Sequence, residues 1–504
     1  MASRSIPILD ASWLYVESKE APMHVGSMAI FSLPPGHSPD TLKAAIAALR
    51  KSNTFAPPFN YVLSDPNLRT LAPKWKTVDH VDLEYHLRHS ALPKPGGERE
   101  LGTLISRLHS NPLDFHRPLW ECHIIEGLEG NRFAMYTKMH HSLIDGIGAV
   151  RLMNRIFATS AAESMELPAF WSSGVKAPGK KGAPLPLVEQ AKQWWKIAKA
   201  NSASMPDVAK ALFTLGKEAV KKENPALAHP FSGPKSILNG KVSGARRVAT
   251  QHYELSRIKG LAEKAGVSVN DILLAICSGS MRRYLKEQNA LPKTSLMAGL
   301  PVSVRPADDD SGGNAISFIS AYLYTDIEDP LVRLKAIRES TQAGKAHLQT
   351  MPKAGLNNYT MLLMSPMMLQ LMTGLGGVGR PIFNVVISNV PGPDKDLYFW
   401  GCKLEQFYPI SLIPHGQALN ITVVTYSGQF NLAFTGDYNA LPHLQRLAVY
   451  TGEALAELEA LVVGRVAPKK PVPKSVAVEE ARAQASEKKA PAKARKPKVE
   501  TPAS

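Results

Sequence analysis

Between Ser172 and Pro184 the chain runs Ser-Ser-Gly-Val-Lys-Ala-Pro-Gly-Lys-Lys-Gly-Ala-Pro, with Val175 its one sizeable apolar side chain. A stretch so rich in Gly, Pro and Lys interrupts helix and strand alike and buries nothing. It divides the 504 residues, already too many for one hydrophobic core, into parts that must each build their own. The division predicts a first domain over 1–171, a basic linker with a helical segment over 172–232, a second domain over 233–464 and a disordered basic tail over 465–504. Hydrophobic residues at 44% and charged residues at 20% are sufficient for two such cores.

The net charge of +16 follows the same division. From Arg465 to Ser504 eleven Lys/Arg stand against four Asp/Glu, and from Lys176 to Glu223 ten stand against four, so the foldable parts are nearly neutral. The basic segments are therefore what would meet a polyanion or an anionic lipid, and composition alone does not choose between these. Trp194-Trp195 in the linker fits an interfacial helix with aromatics at headgroup depth; a solvated linker helix is the alternative. The Lys/Ala/Pro/Glu tail is too poor in large apolar residues to fold.

Periodicity places strands at His24 to Phe31, Trp120 to Glu126 and Arg132 to Met139, the last two around the turn Gly127-Leu-Glu-Gly130. Helices are predicted over Thr41 to Lys51 and from about Asp145, with Ile147, Val150, Met153 and Phe157 on one face. In the second part, Ser268 to Cys277 reads as a capped, buried helix. Ser295 to Val304, Ile382 to Val390, Leu419 to Tyr426 and Phe430 to Gly436 read as strands, and about Leu441 to Val463 as a last helix. From Lys353 to Arg380 no charge intervenes, yet Pro366, Asn357, Asn358 and Gln370 interrupt the apolar run. A membrane span needs about 20 mainly apolar residues in one run. The segment is expected to be a helix beside a lipid-lined cavity, or a buried helix in which Met fills gaps.

Cys122, Cys277 and Cys402 form no C-x-x-C pair. That spacing argues against a disulfide framework or a zinc site and fits a reducing cytoplasm. The first residues lack the apolar stretch of a secretory signal. No G-x-S-x-G elbow is present. Gly374-Leu-Gly-Gly-Val-Gly379 matches G-x-G-x-x-G, but it follows a helical run and precedes a strand, the reverse of a dinucleotide site, and reads as a turn or hinge.

The strongest local signal is His140-His141-Ser-Leu-Ile-Asp145-Gly146 at a strand-to-helix junction. Transfer to a hydroxyl needs a base near neutral pH, and imidazole titrates there. An Asp four residues on, at a helix start, can hold the loop through backbone amides or an Arg. The glycine after it permits close backbone approach. A metal site on His141 and Asp145 lacks a third ligand at a recognisable spacing, so no metal is expected.

With this motif, Pro118-Leu-Trp120, Val269-Asn-Asp-Ile-Leu-Leu-Ala275, Pro301-Val-Ser-Val-Arg-Pro306, Ser388-Asn-Val-Pro-Gly-Pro393 and Gly416-Gln-Ala-Leu-Asn-Ile-Thr-Val423, the chain from about 5 to 462 resembles the bacterial wax ester synthase/acyl-CoA:diacylglycerol acyltransferases. At Leu113-Asp-Phe-His-Arg117 it departs from their more usual Leu-Asp-Arg. The resemblance implies an α/β (α+β) fold of two chloramphenicol acetyltransferase-like domains with a substrate tunnel between them. It implies direct transfer of a long-chain acyl group from acyl-CoA, a substrate and not a cofactor, to a fatty alcohol or diacylglycerol. Carried over by residue, it makes His141 the general base and His140 its structural neighbour. Asp145 and Gly146 shape the loop, with Asp145 held by an Arg such as Arg305, and Asn270 supports the reacting centre or the oxyanion. Trp120, Asp271, Arg305, Ser388 and Asn389 are the expected substrate-binding residues. The expected setting is cytoplasmic, peripherally on the inner membrane or lipid droplets, with an anionic lipid surface as partner and no nucleic acid. A condensation-type enzyme or a non-catalytic lipid-droplet coat protein is the alternative.

Overall fold

The computed structural model describes residues 3–34, 36, 39–69, 73–173, 224–303, 316–350 and 356–464. Numbered along the chain, the described strands form three sheets. A small antiparallel sheet has the order β1-β4-β3, from β1 (Ser3–Ser5), β3 (Tyr61–Leu63) and β4 (Lys74–Thr77). The first large sheet has the order β12-β13-β2-β7-β6-β5. Its members are β2 (His24–Ser32), β5 (Leu87–Ala91), β6 (Trp120–Leu128), β7 (Arg132–His140), β12 (Tyr398–Phe399) and β13 (Cys402–Ile410). The second has the order β10-β9-β11-β14-β15-β8, from β8 (Arg246–Glu254), β9 (Met297–Ser303), β10 (Ile316–Tyr322), β11 (Val385–Val390), β14 (Leu419–Tyr426) and β15 (Gln429–Asp437). Both are mixed. β5 runs parallel to β6, and β11 runs parallel to β9 and β14.

Two strands cross the expected domain limits. β12 and β13 come from within 233–464, yet β13 pairs with β2 from Lys403↔Ser32 to Ile410↔Gly26 and so extends the first sheet. Alternation of side chains records which face of a strand is buried but not which sheet receives it. The other sheet is locked in return. β8 lies at its edge, and the helix Glu98–Ser110 packs against it. There Ser106 Oγ accepts from the Val248 N–H at 2.9 Å and Ser110 Oγ from the Arg246 N–H at 2.8 Å, covering donors that an edge strand leaves open. Leu227 and Ala228, ahead of the expected 233, are buried beside Phe383.

Ser268 caps the helix Val269–Glu287, whose residues 271–278 are all buried. It packs against Pro330–Gln349 and Gln445–Val463 to cover the second sheet. The helix Leu356–Met372 passes through Pro366 and packs against the first helix, Ile8–Val16. Among the described residues no helix is long and apolar enough to cross a membrane.

Candidate active site

The H-H-x-x-x-D-G motif spans the end of β7 and the start of the helix Gly146–Ile156. His140 is the last strand residue, opposite His24 on β2, and is wholly buried. Its Nε2 lies 2.9 Å from Glu17 Oε2, and the same oxygen accepts the Met23 N–H at 2.7 Å. On the other side of the ring, Nδ1 accepts the Ser142 N–H at 3.2 Å, with Ser142 Oγ 2.7 Å away. A carboxylate only accepts, so these partners select the tautomer with hydrogen on Nε2. His140 is thus fully engaged in structure.

His141 begins the loop. Its N–H donates to Met23 O at 2.9 Å, which fixes the main chain. The ring lies on Trp13, centroids 4.3 Å apart and planes 24° from parallel. Nδ1 is buried and meets no partner at hydrogen-bond geometry. Burial is the main cause that draws its pKa down to about 4; contact with its own main chain opposes the shift and the His140 ring adds to it. His141 is consequently neutral around pH 7, the form in which imidazole accepts a proton.

Asp145 is buried and caps the next helix, its Oδ1 accepting the Gly148 N–H at 2.6 Å. The glycine that permits this approach is Gly148, not Gly146. A Cβ on Gly148 would stand 3.0 Å from that oxygen, whereas one on Gly146 would meet only Val390 Cγ2 at an ordinary 3.5 Å. The latter contact sets the end of β11 beside the motif, so Ser388-Asn-Val-Pro-Gly-Pro393 borders the loop. Gly392 is obligatory there, because a Cβ would overlap Thr425 O.

Two of the expected substrate contacts are engaged by the protein's own packing. Trp120 is 1% exposed; its Nε1–H donates to Phe59 O at 2.8 Å, and His86, Phe59, Phe170 and Trp171 surround its ring. No face of the indole is left for a ligand. Asp271 is the third residue of a capping box. Its Oδ2 accepts from Ser268 N–H and Oγ at 3.0 and 2.7 Å, and its Oδ1 from Thr341 Oγ1 at 2.8 Å. Asn270 is half-buried in the first turn of that helix, and Ser388 and Asn389 are half-buried on β11. Among the described residues no hydrogen bond or ring contact joins these three to His141. Arg305, the paired tryptophans and the basic tail lie outside the described residues.

Trp13 and Glu17 were not anticipated from the sequence. Nothing in residue spacing links the end of a first helix to a motif more than 120 positions later. Glu17 followed six residues on by Met-His is a signal only once its burial, at 4% exposure, is known. Beside this helix, Met367, Gln370, Leu371, His415, Gln417 and the Gly376–Gly379 turn line an open cleft. His415 Nε2 reaches back to Ser18 Oγ at 3.5 Å. The three cysteines are buried and unpaired, and burial pushes every thiol pKa up, that of Cys402 to about 11, so none is suited to carry an acyl group. Among the described residues no group of three His, Cys, Asp or Glu side chains could hold a metal.

The family profile for the wax ester synthase/diacylglycerol acyltransferase catalytic domain matches residues 7–273, and that for the C-terminal domain of the same proteins matches 312–459. A Mycobacterium tuberculosis protein named as a diacylglycerol O-acyltransferase is 41% identical over 484 residues, covering 90% of this chain and 96% of that protein. The O-acyltransferase WSD of Acinetobacter baylyi is 37% identical over 462 residues, covering 91% and 98%. Among solved structures, the wax ester synthase/diacylglycerol acyltransferase of Marinobacter aquaeolei VT8 superposes with a TM-score of 0.72 at 34% identity, covering 91% of this chain and all of that one. The first condensation domain of the calcium-dependent antibiotic synthetase, at 15% identity and a TM-score of 0.56, shares the fold alone.

Proposed function

The chain belongs to the wax ester synthase/diacylglycerol acyltransferase family, and on that premise we propose that it esterifies a fatty alcohol or diacylglycerol with a long-chain acyl group, using His141 as general base. The observation that carries the role of His141 is geometric: its ring stands at the strand–helix junction with Nδ1 meeting no partner, while its neighbour His140 is consumed by Glu17 and Ser142. The acceptor hydroxyl attacks the thioester carbon as its proton passes to His141. The C–S bond then breaks, and the departing CoA thiolate takes that proton back. Transfer is direct, because the buried thiols offer no nucleophile. Asp145 holds the loop by capping Gly146–Ile156, and Asn270, in the first turn of the helix that Ser268 caps, supports the reacting centre.

We further infer that the enzyme works at a lipid surface. Leu369, Met372, Leu375 and Val378 are each more than half exposed, at three-residue spacing along the end of one helix and the turn beyond it. Val378 also lines the cleft beside the helix that carries Trp13. Such a patch contributes apolar binding that salt does not remove, and the basic segments contribute attraction that salt screens. Purified protein given palmitoyl-CoA with hexadecanol, with diacylglycerol and with a short alcohol should release thiol and form ester. His141→Ala should lower turnover by a factor on the order of 10²–10⁴ while the protein still folds. A folded His141→Ala protein keeping more than half its activity would refute the assignment. Liposome binding that does not change between low and high salt would refute the electrostatic part of the surface reading.

A further inference from the structure

A base whose burial disfavours its charged form faces a difficulty at the moment of reaction, when it must carry the acceptor's proton. The side chain is half-buried, so water has limited access and a protein group has to help stabilise that imidazolium. The contact that the structure provides is the indole of Trp13, stacked face to face on the His141 ring. An aromatic face attracts a cation lying over it, more strongly when both are withdrawn from solvent, and tryptophan does so best.

The mounting of this indole is as specific as the contact itself. Trp13 lies one helical turn before Glu17, and Glu17 ties down His140 and Met23, while Met23 O ties down the His141 N–H. On its own helix, Leu14 is fully buried in the cluster with Leu63, Trp75 and Leu119, while Trp13 packs towards the core of the second sheet. The helix is thereby fixed to both halves of the molecule. The indole cannot turn away from the imidazole without disturbing one of those cores.

We propose that Trp13 is a positioning residue for the proton transfer: its indole face sets the plane of the His141 ring and stabilises the imidazolium as it forms. The proposal rests on the reading of His141 as general base. The bonds made and broken are those of the direct transfer, with the proton passing from the acceptor oxygen to His141 and on to the leaving thiolate; Trp13 exchanges no atom or electron.

The test compares Trp13→Phe, which keeps an aromatic face, with Trp13→Leu, which keeps apolar bulk without one. Turnover is measured with palmitoyl-CoA and two acceptors, hexadecanol and 2,2-difluorohexadecanol, whose more acidic hydroxyl leans less on the base. Trp13→Leu should lose kcat on hexadecanol on the order of tenfold. Its KM for palmitoyl-CoA should stay within about twofold, and Trp13→Phe should recover most of the loss. On the fluorinated alcohol the deficit of Trp13→Leu should shrink several-fold, which a purely structural role for the indole would not produce. Equal turnover of folded Phe and Leu variants, or a deficit that is the same on both alcohols, overturns the proposal. His141→Ala, assayed alongside, should lose a factor on the order of 10²–10⁴ on hexadecanol. If it keeps more than half of its turnover, the general-base reading itself has failed; if it shows that loss while the Phe and Leu variants agree, only the role of Trp13 has failed.

Discussion

Glu17 is the most exacting test of how the motif is held, because one oxygen of one side chain satisfies two buried donors. Oε2 accepts the Met23 N–H at 2.7 Å and His140 Nε2–H at 2.9 Å, in a side chain 4% exposed. Glu17→Ala leaves both donors in a place that water does not readily reach. Each orphaned donor costs about 1–3 kcal/mol, so the variant should lose about 2–6 kcal/mol. Glu17→Gln can set its amide oxygen where Oε2 now lies and keep both bonds, giving up only the strength added by charge, about 1 kcal/mol. Thermal melting and kcat at saturating palmitoyl-CoA and hexadecanol separate the cases. The Ala variant should melt several degrees lower and turn over at least tenfold more slowly, because His140 and Met23 between them fix the main chain of His141. The Gln variant should remain close to wild type in both. An Ala variant that melts with the wild type, or a Gln variant as impaired as Ala, would refute this account of the mount.

Asp145→Ala should lower stability by about 1 kcal/mol through loss of the helix cap, and activity with it, whereas Asp145→Asn keeps a cap acceptor and most of both; unchanged melting of the Ala variant with turnover abolished would make Asp145 a direct participant. Acid should destabilise the protein early. His86 and His109 are buried, with pKa values drawn down to about 4 and about 3, chiefly by burial. Their folded values lie below the unfolded 6.5, so their contribution is complete above pH 6.5 and is lost as pH falls towards 4. Together the loss is about 3 kcal/mol per pH unit within that window, and a melting temperature that is flat from pH 7.5 to 5 would contradict it.

Much of the fold was legible because local patterns are enforced locally. The strand read at His24 to Phe31 is β2, the alternation at Leu419 to Tyr426 is β14, and the Ser268 cap opens its helix as expected. The motif was legible for the same reason: strand end, loop and cap lie within seven residues. The hydrogen bonds of Asp271 were in plain view, since Ser-x-x-Asp before an apolar run is itself a capping box. Trp120 was carried over with Pro118-Leu-Trp120 from the resemblance, and its packing was not legible because its neighbours Phe59, Phe170 and Trp171 lie from 61 residues before to 51 after it. Trp13 and Glu17 were missed for the complementary reason. His140 and His141 lie more than 120 positions further along the chain, and only tertiary packing brings them to Glu17 and Trp13.

That same dependence on distant chain makes the two halves inseparable. Without 396–411 the first sheet ends at β2, whose Gly26–Ser32 edge then presents unpaired N–H and C=O groups to solvent. Phe31, fully buried and stacked on Phe133, would also lose its neighbours Phe399 and Leu404. The second half alone would in turn expose the edge donors of Val248 and Arg246 that Ser106 and Ser110 now satisfy. Exposed sheet edges of this kind template association. Residues 1–223 expressed alone should therefore be insoluble or self-associated, and co-expression with 224–504 should restore a soluble, active 1:1 complex. The break would fall among residues that contribute to none of these described contacts, so the complex need sacrifice no strand pairing. Size-exclusion chromatography of the single fragment decides the matter: a soluble monomer of 1–223 with native-like sheet content would show that β13 is an ornament on a self-sufficient first domain and not the strand that completes it.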